Sequence, residues 1–203
     1  MEKLNLTLEW KGPFGHVPGG STPWFYEQAE LKESPPGVYL QTLLIKDQYF
    51  VYYVGEAKDL LDRTRQHIAG FLSGNYWVYD PAATIKDQEK SKPYDPASKH
   101  YKGFLEQSSE LRAMAYDWLA ALQLFVWIDA KHELDDQGQK LVESALIQKL
   151  FGQRPEGPGW LCDNVKVSRR TKAGESVELK MKFPNGIQVA GLPKRIRYPE
   201  QSA

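Results

Sequence analysis

Residues 37–55 read Gly-Val-Tyr-Leu-Gln-Thr-Leu-Leu-Ile-Lys-Asp-Gln-Tyr-Phe-Val-Tyr-Tyr-Val-Gly, and this stretch decides the fold. Both of its ends are rich in β-branched and aromatic residues, which favour strands. The polar segment Lys46-Asp-Gln48 between them is typical of a turn. The stretch therefore predicts a β-hairpin formed by residues 37–45 and 49–55.

The residues that follow the hairpin change from a strand period to a helical one. Between Lys58 and Leu72 the apolar residues recur every three or four positions, which predicts an amphipathic helix. Arg63 and His67 lie four residues apart at one edge of the apolar stripe. Their side chains can therefore point together at something beside the core.

Two further elements complete a mixed pattern. Leu122–Ile128 is almost wholly apolar, as expected of a central buried strand. Gln137–Phe151 has a helical period, with Asp135-Asp136 as start residues and Gly152 as its stop. A short helix is expected around residues 108–119. The order strand, strand, helix, strand, helix predicts an α+β fold.

Three segments fall outside this core. Residues 1–35 contain many Pro and Gly residues among scattered aromatics and predict an irregular arm packed onto the body. Residues 74–110 are polar and aperiodic, which predicts an inserted loop or a partner-facing lobe. The basic extension 166–203 contains two predicted strands, 176–183 and 187–190, joined at a Pro-Asn-Gly turn.

Composition excludes several classes of protein. A length of 203 residues fits one domain with appendages, and the single Cys162 excludes both a disulfide scaffold and a zinc ribbon. The sequence has no apolar run long enough to cross a bilayer and no secretory start. We therefore expect a cytoplasmic protein without a membrane partner. His16 and His100 lie in irregular segments and are interpreted as surface histidines.

The charge is unevenly distributed although Lys+Arg and Asp+Glu are equal at 26 each. Residues 165–203 hold nine Lys or Arg against three acidic residues, so a basic tail balances an acidic body. Such asymmetry indicates an edge that faces a polyanion, and a solvated basic pair of strands is the alternative.

The ordered motifs resemble those of the GIY-YIG nuclease family. Gly37-Val38-Tyr39 lies in the first strand and Tyr53-Val54-Gly55 ends the second, with valine in place of isoleucine in both. Arg63 and His67 match the family's helical Arg and His, and Glu143 matches the Glu of its later helix. The resemblance covers residues 36–165 and implies a small central antiparallel sheet of three core strands flanked by helices.

The resemblance also implies an activity and roles for these residues. It implies hydrolysis of phosphodiester bonds with Mg²⁺ as cofactor, for which Mn²⁺ could substitute. Tyr39 would act as general base, Tyr53 and His67 would orient the water or the base, and Arg63 would hold phosphate charge. Glu143 would bind the metal, while Gly37, Gly55 and Asn164 would support the site. Arg63 and the metal would lower the Tyr39 pKa from its usual value of about 10.

Glu143 also stands out without the resemblance, because it is embedded in the apolar stripe of its helix. Burial of a lone carboxylate costs several kcal/mol unless a cation or hydrogen-bond donors meet it. A metal ligand accounts for its position, and a structural ion pair is the alternative. A Mg²⁺ ion keeps several waters, so one carboxylate and a substrate oxygen can anchor it.

The function predicted from the sequence is a divalent-metal-dependent endonuclease acting on double-stranded DNA. Short extensions around a single core favour a restriction-type enzyme, or a mobile-element or phage nuclease of similar build. A homodimer would match a palindromic site. The alternatives are a catalytically silent nucleic-acid-binding or regulatory module on the same fold, and a small-molecule-binding α/β domain. The basic residues expected to grip DNA phosphates are Lys58, Arg65, Arg169, Arg170, Lys172, Lys194, Arg195 and Arg197.

Overall fold

The computed structural model describes residues 3–91, 106, 108–130, 134–154, 157–164 and 175–199. Short 3₁₀ turns lie at Phe25–Glu27, Ala29–Leu31 and Pro184–Gly186. The strands of this part of the chain are β1 (Lys3–Glu9), β2 (Lys11–Gly15), β3 (Gly37–Ile45), β4 (Gln48–Ala57), β5 (Leu122–Ile128), β6 (Ser176–Lys182), β7 (Val189–Ala190) and β8 (Arg195–Tyr198). Its helices are α1 (Leu60–Leu72), α2 (Pro81–Asp87), α3 (Ser108–Ala121) and α4 (Asp136–Phe151).

The predicted hairpin is confirmed. Strands β3 and β4 pair antiparallel from Gly37↔Ala57 to Ile45↔Gln48, around a two-residue turn at Lys46 and Asp47. Both turn residues have a positive φ, of 48° and 66°, which matches the right-handed twist of the two strands. A bulge at Tyr52 shifts the register between Gln41 and Thr42.

The hairpin lies within a five-stranded sheet of order β2-β5-β3-β4-β7. Strand β5 pairs antiparallel with β3 and is buried on both faces, as its apolar sequence predicts. The three inner strands β5, β3 and β4 therefore form an antiparallel core. Strand β2 adds an antiparallel edge, and β7 pairs parallel with β4 at Tyr49 and Phe50.

The prediction of an irregular N-terminal arm is wrong for residues 3–15. Strand β1 pairs parallel with β6, and β6 pairs antiparallel with β8, so the two ends of the chain form a second, three-stranded sheet. The apolar residues of this sheet alternate along each strand, and they join α4 and the first sheet in one hydrophobic core. The C-terminal extension is thus part of the fold and not an appendage.

The predicted strands around the Pro184-Asn185-Gly186 turn exist, but they do not pair with each other. Strand β6 belongs to the three-stranded sheet, whereas β7 belongs to the five-stranded sheet. The turn forms a 3₁₀ segment with Asn185 at a φ of 52°, and it carries the chain from one sheet to the other. A turn signal in the sequence indicates a change of direction but does not identify the pairing partner.

The segment 74–110 is more ordered in its first part than predicted. Val78 and Tyr79 are fully buried, and the helix α2 follows with Asp80 as its N-cap. The Tyr79 hydroxyl donates a hydrogen bond to the Asp163 carboxylate, which ties this segment to the loop after α4. Residues 92–105 and 107 lie outside the described residues.

The two helices that matter for the site pack on opposite faces of the hairpin. Leu60 of α1 belongs to the same hydrophobic cluster as Tyr39, whereas Val142 and Leu146 of α4 belong to the cluster of the alternate residue Val38. The side chains of Asp59 and Asp135 cap α1 and α4, because each accepts a hydrogen bond from the backbone amide three residues later, at 2.7 Å. No helix in the described part of the chain is long and apolar enough to span a membrane.

Truncation of Leu179 to Ala tests whether the second sheet is part of the core. Leu179 is fully buried in β6, so its loss should lower the free energy of unfolding by about 2–5 kcal/mol. Urea denaturation measures this change. Lys180→Ala, an exposed neighbour on the same strand, should change stability by less than about 0.5 kcal/mol. Equal effects of the two variants would show that the extension is an appendage.

Candidate active site

A chain of hydrogen bonds joins strand β3 to helix α1. The Tyr39 hydroxyl lies 2.7 Å from Nε2 of His67, and Nε of Arg63 donates to the same hydroxyl at 3.3 Å. The phenol oxygen accepts from Arg63, and which partner donates between the hydroxyl and Nε2 is set by which ring nitrogen of His67 carries the proton. The sequence predicts that the side chains of Arg63 and His67 point at a common group. In the structure that group is the Tyr39 hydroxyl.

The hairpin register places the two motif tyrosines on one face. Tyr39 is opposite Gly55 and Tyr53 is opposite Gln41, so all four residues face the same side of the sheet. The Tyr39 and Tyr53 ring centroids are 6.2 Å apart, and the Tyr53 ring lies 5.5 Å from that of His67. Both tyrosines therefore border the same imidazole.

The two motif glycines are explained by close approaches of other atoms. A Cβ added at Gly55 would lie 2.3 Å from Oη of Tyr39, because the phenol ring crosses directly over this residue. A Cβ at Gly37 would lie 2.1 Å from the carbonyl oxygen of Trp127 in β5. Gly55 thus makes room for the proposed base, and Gly37 lets the central strands approach.

Glu143 lies on α4, on the other face of the hairpin from α1, and acts on the tyrosines through its charge. It is 7% exposed, and its negative charge raises the pKa of both Tyr39 and Tyr53, so the carboxylate lies within electrostatic range of both phenols. No group of three or more metal-ligating side chains occurs among the described residues. A hard cation held by this one carboxylate, with waters and substrate oxygens completing its shell, fits the donor set that is present.

The direction expected for the Tyr39 pKa is wrong for the protein alone. Burial raises the Tyr39 pKa well above its usual value, and the charges of Tyr53 and Glu143 raise it further. Arg63 lowers it, but by less than burial raises it. Tyr39 is therefore a neutral phenol at physiological pH, because a buried tyrosinate is costly.

Both histidines near the site are also neutral. Burial, followed by the charges of Arg63 and His16, lowers the pKa of His67 to about 3. Burial lowers the pKa of His16 to about 4. The interpretation of His16 as a surface histidine is wrong, because it is 2% exposed. The sequence does contain an indication that His16 is buried, because residues 14 and 17 near it are apolar.

Asn164 is bonded to the backbone of β4 beside the candidate site. Its side-chain amide accepts from the Val54 amide at 2.7 Å and donates to the Val54 carbonyl at 2.8 Å. This pair of bonds continues the sheet at the edge of β4, next to Tyr53. The loop that follows α4 is thereby fixed against the hairpin, and Arg154 adds a bond to the Asn164 carbonyl at 3.0 Å.

The predicted phosphate-binding residues divide into three groups. Lys58 is exposed and pairs with Asp136 at 2.7 Å, and the Arg65 guanidinium lies 5.7 Å from the Tyr26 ring centroid. Lys194, Arg195 and Arg197 are exposed, and the two arginines pair with Glu178 at 3.3 Å each. The predictions for Arg169, Arg170 and Lys172 lie outside the described residues.

Sequence reasoning missed two residues that border the site. Gln41 is 1% exposed and lies beside Tyr53. The sequence does distinguish Gln41, because it is the one amide side chain within a mostly apolar strand. Tyr76 packs its ring 5.5 Å from that of His67. Nothing in the local sequence pattern distinguishes Tyr76 from the other aromatics of residues 74–110.

Comparison with models of protein families, with characterised proteins and with solved structures found no significant match. The function of this chain is therefore inferred from its own residues and the geometry of its site.

Gly55→Ala tests the close approach between Tyr39 and β4. The added methyl would overlap the phenol, so we expect a loss of about 1–3 kcal/mol in the free energy of unfolding. Thermal and urea denaturation measure it. Gly20→Ala is the matched control, because a Cβ at Gly20 meets no atom within 4 Å. A Gly55→Ala variant as stable as the control would contradict the contact.

The two buried histidines predict a pH dependence of stability. In the unfolded chain histidine binds a proton below about pH 6.5, whereas folded His16 and His67 do so only near pH 4 and pH 3. Stability from this source is complete well above pH 6.5 and is lost as the pH falls through and below that value. Between pH 6 and pH 5 each histidine should reduce it by about 1.2 kcal/mol. Urea unfolding at both pH values measures this loss of stability. The His16→Gln variant should show only the loss that is expected of His67.

Proposed function

We propose that this chain is a divalent-metal-dependent DNA endonuclease of the GIY-YIG type. The observation that carries the proposal is the Arg63–Tyr39–His67 hydrogen-bonded chain, which lies beside Tyr53 and within electrostatic range of Glu143. A cation, a phenol and an imidazole are joined by hydrogen bonds, and a carboxylate from a third element acts on the phenol through its charge. Groups of these kinds can hold phosphate charge and move a proton, as hydrolysis of a phosphodiester needs.

Arg63 is placed to hold the negative charge of the phosphate. Its Nη1 donates to Oε1 of Gln66 at 3.0 Å, and Gln66 in turn donates to Asp62 at 2.8 Å. These bonds along one side of α1 fix the guanidinium, while its Nε is directed at Tyr39. A guanidinium that is already oriented stabilises developing charge without reorganising during the reaction.

Tyr39 and His67 are placed to move a proton. A free tyrosinate is costly here, so the phenol passes its hydrogen to Nε2 of His67 as it takes one from the attacking water. The low pKa of His67 limits this transfer in the protein alone. The negative charge of a bound phosphate raises the pKa of His67 and favours the transfer.

Glu143 is the residue that would hold the metal. A bound Mg²⁺, or Mn²⁺ in its place, supplies positive charge to the phosphate oxygens and lowers the pKa of nearby water and phenol. Glu143 is buried, and its neighbours on α4, Val142 and Leu146, belong to the hydrophobic core. Exposed cations such as Lys58, Arg65 and Lys194 would contact the DNA backbone, with affinity that falls as salt rises.

The biological role that fits this build is restriction, or cleavage by a mobile-element or phage nuclease. A homodimer would allow two copies to cut both strands of a palindromic site. A catalytically silent DNA-binding module is the alternative. The tyrosine, arginine and carboxylate set favours the enzyme, since a binding role has no need of a carboxylate buried in an apolar helix face.

Incubation with supercoiled plasmid and Mg²⁺ tests the proposal. We expect nicking or linearisation that stops with chelator, and a loss of at least about 100-fold in Glu143→Gln and in Tyr39→Phe. Glu143→Gln removes the charge at constant size, and Tyr39→Phe removes only the hydroxyl between Arg63 and His67. Gel mobility of the plasmid measures both rates.

The matched controls are Glu110→Gln, an exposed carboxylate on α3, and Tyr49→Phe, a tyrosine of the same hairpin outside the site. Both should cut at the wild-type rate. DNA binding without cleavage across metals, salt and DNA sources would support the silent module instead. Mapping the cut ends then separates restriction from other roles, because a fixed sequence at the cuts indicates restriction.

A further inference from the structure

A small pocket of about 280 Å³ opens directly beside the Arg63–Tyr39–His67 chain. Arg63, His67 and Tyr53 form one part of its wall, and Tyr76, Trp77 and Gln41 form another. The pocket thus shares three residues with the proposed cleavage site. A ligand in this pocket would therefore lie next to a phosphate bound by Arg63.

Tyr76, one of the aromatic residues of the wall, is packed against α1 on several sides. The Tyr76 ring lies 5.5 Å from that of His67 and 5.3 Å from that of Phe71. A Cβ added at Gly70 of α1 would lie 2.3 Å from the Tyr76 ring, so the ring rests on bare helix backbone. Flat aromatic surfaces fixed in this way are suited to stacking with a planar ligand.

Gln41 adds a polar group to the same wall. It is 1% exposed, and its buried Oε1 accepts no hydrogen bond from any residue that the structure describes. A buried amide oxygen without a donor is costly, and natural proteins retain few of them. A ligand that brings an N–H into the pocket would satisfy it.

We propose that this pocket receives an unstacked nucleobase of the DNA strand being cut, at the nucleotide adjacent to the cleaved phosphate. This inference rests on the proposed function and names its substrate more closely. The volume lies just below the range of about 300–1,000 Å³ for drug-sized ligands, so it suits one ring system and excludes a base pair. Tyr76 and Trp77 stack on the base, and Gln41 contacts its edge.

The pocket makes the enzyme sensitive to base pairing at that nucleotide. A base must leave the helical stack before it can enter, and the energy required is least where the base is mismatched or unpaired. Stacking on an aromatic ring is tolerant of sequence, whereas a contact to Gln41 distinguishes bases by their edge groups. Specificity at this position therefore comes from both ease of unstacking and edge chemistry.

Photocrosslinking provides a test that does not require cleavage. The full-length Glu143→Gln protein is irradiated with DNA that contains 5-iododeoxyuridine in place of thymidine, and crosslinked peptides are mapped by mass spectrometry. We expect crosslinks at Tyr76 or Trp77. Tyr116 and Phe151, which are 49% and 52% exposed, report non-specific contact. Crosslinks only at these exposed aromatics, or none from a protein that binds DNA, would overturn the proposal.

A second experiment uses cleavage at a mapped site. The wild-type protein and Gln41→Met are compared on DNA with an intact base and with an abasic residue at the pocket position. Gln41→Met should slow cleavage of intact DNA about fivefold and leave cleavage of abasic DNA unchanged, because the contact to Gln41 needs a base. Gln123→Met is the matched control, since its Oε1 is also buried without a partner but lies outside the pocket. Thermal stability should not fall in either variant.

The outcomes separate this proposal from the proposed function. Crosslinks in the pocket without plasmid cleavage by the wild-type protein would support the pocket and refute the nuclease. Cleavage in which Gln41→Met slows intact and abasic DNA equally would support the nuclease and refute the pocket. In a further photocrosslinking experiment, free deoxynucleotides are added in excess as competitors of the DNA. Loss of the crosslinks under that competition would assign the pocket to free nucleotides and overturn its role in holding a DNA strand.

Discussion

The contact between the Tyr39 phenol and the bare backbone of Gly55 sets the geometry of the candidate site. The hairpin register brings these two residues opposite each other, and only a residue without a Cβ leaves space for the ring. From that position the hydroxyl reaches both Arg63 and His67 on α1. Any displacement of the ring would break the hydrogen bond of 2.7 Å between the Tyr39 phenol on β3 and the His67 imidazole on α1.

Burial gives the site its electrostatic character. It raises the pKa of the tyrosines and lowers that of the histidines, so the two kinds of group are neutral together at physiological pH. Arg63 and Glu143 carry the charges. In such surroundings a phosphate and a cation change the pKa of each neighbour strongly, because little water screens them. On the proposed function, the proton-transfer groups would therefore stay inactive until the charged substrate is bound.

Much of this arrangement could be predicted from the sequence, and the failures have a physical pattern. Local signals identified the hairpin, α1, β5 and α4, because hydrophobic period and capping residues act over a few positions. The second sheet was missed, since β1 and β6 are far apart in the chain and neither strand identifies its partner. Within the site, the spacing of Arg63 and His67 was informative. The burial of His16 and the seating of Tyr76 on Gly70 were not predicted, because both depend on tertiary packing.

The parallel pairing of β1 with β6 also bears on how the protein is made. Lys3 pairs with Ser176, so β1 is synthesised long before the strand with which it pairs. Helix α4, which carries Glu143, packs against β3 and β4 and also against β6 and β8, so part of its core face is covered only when residues near 198 have been made. The packing of the helix that carries Glu143 is therefore completed only after β8 has been synthesised. A nascent chain that stops before β8 leaves apolar residues of α4 without their partners from the second sheet.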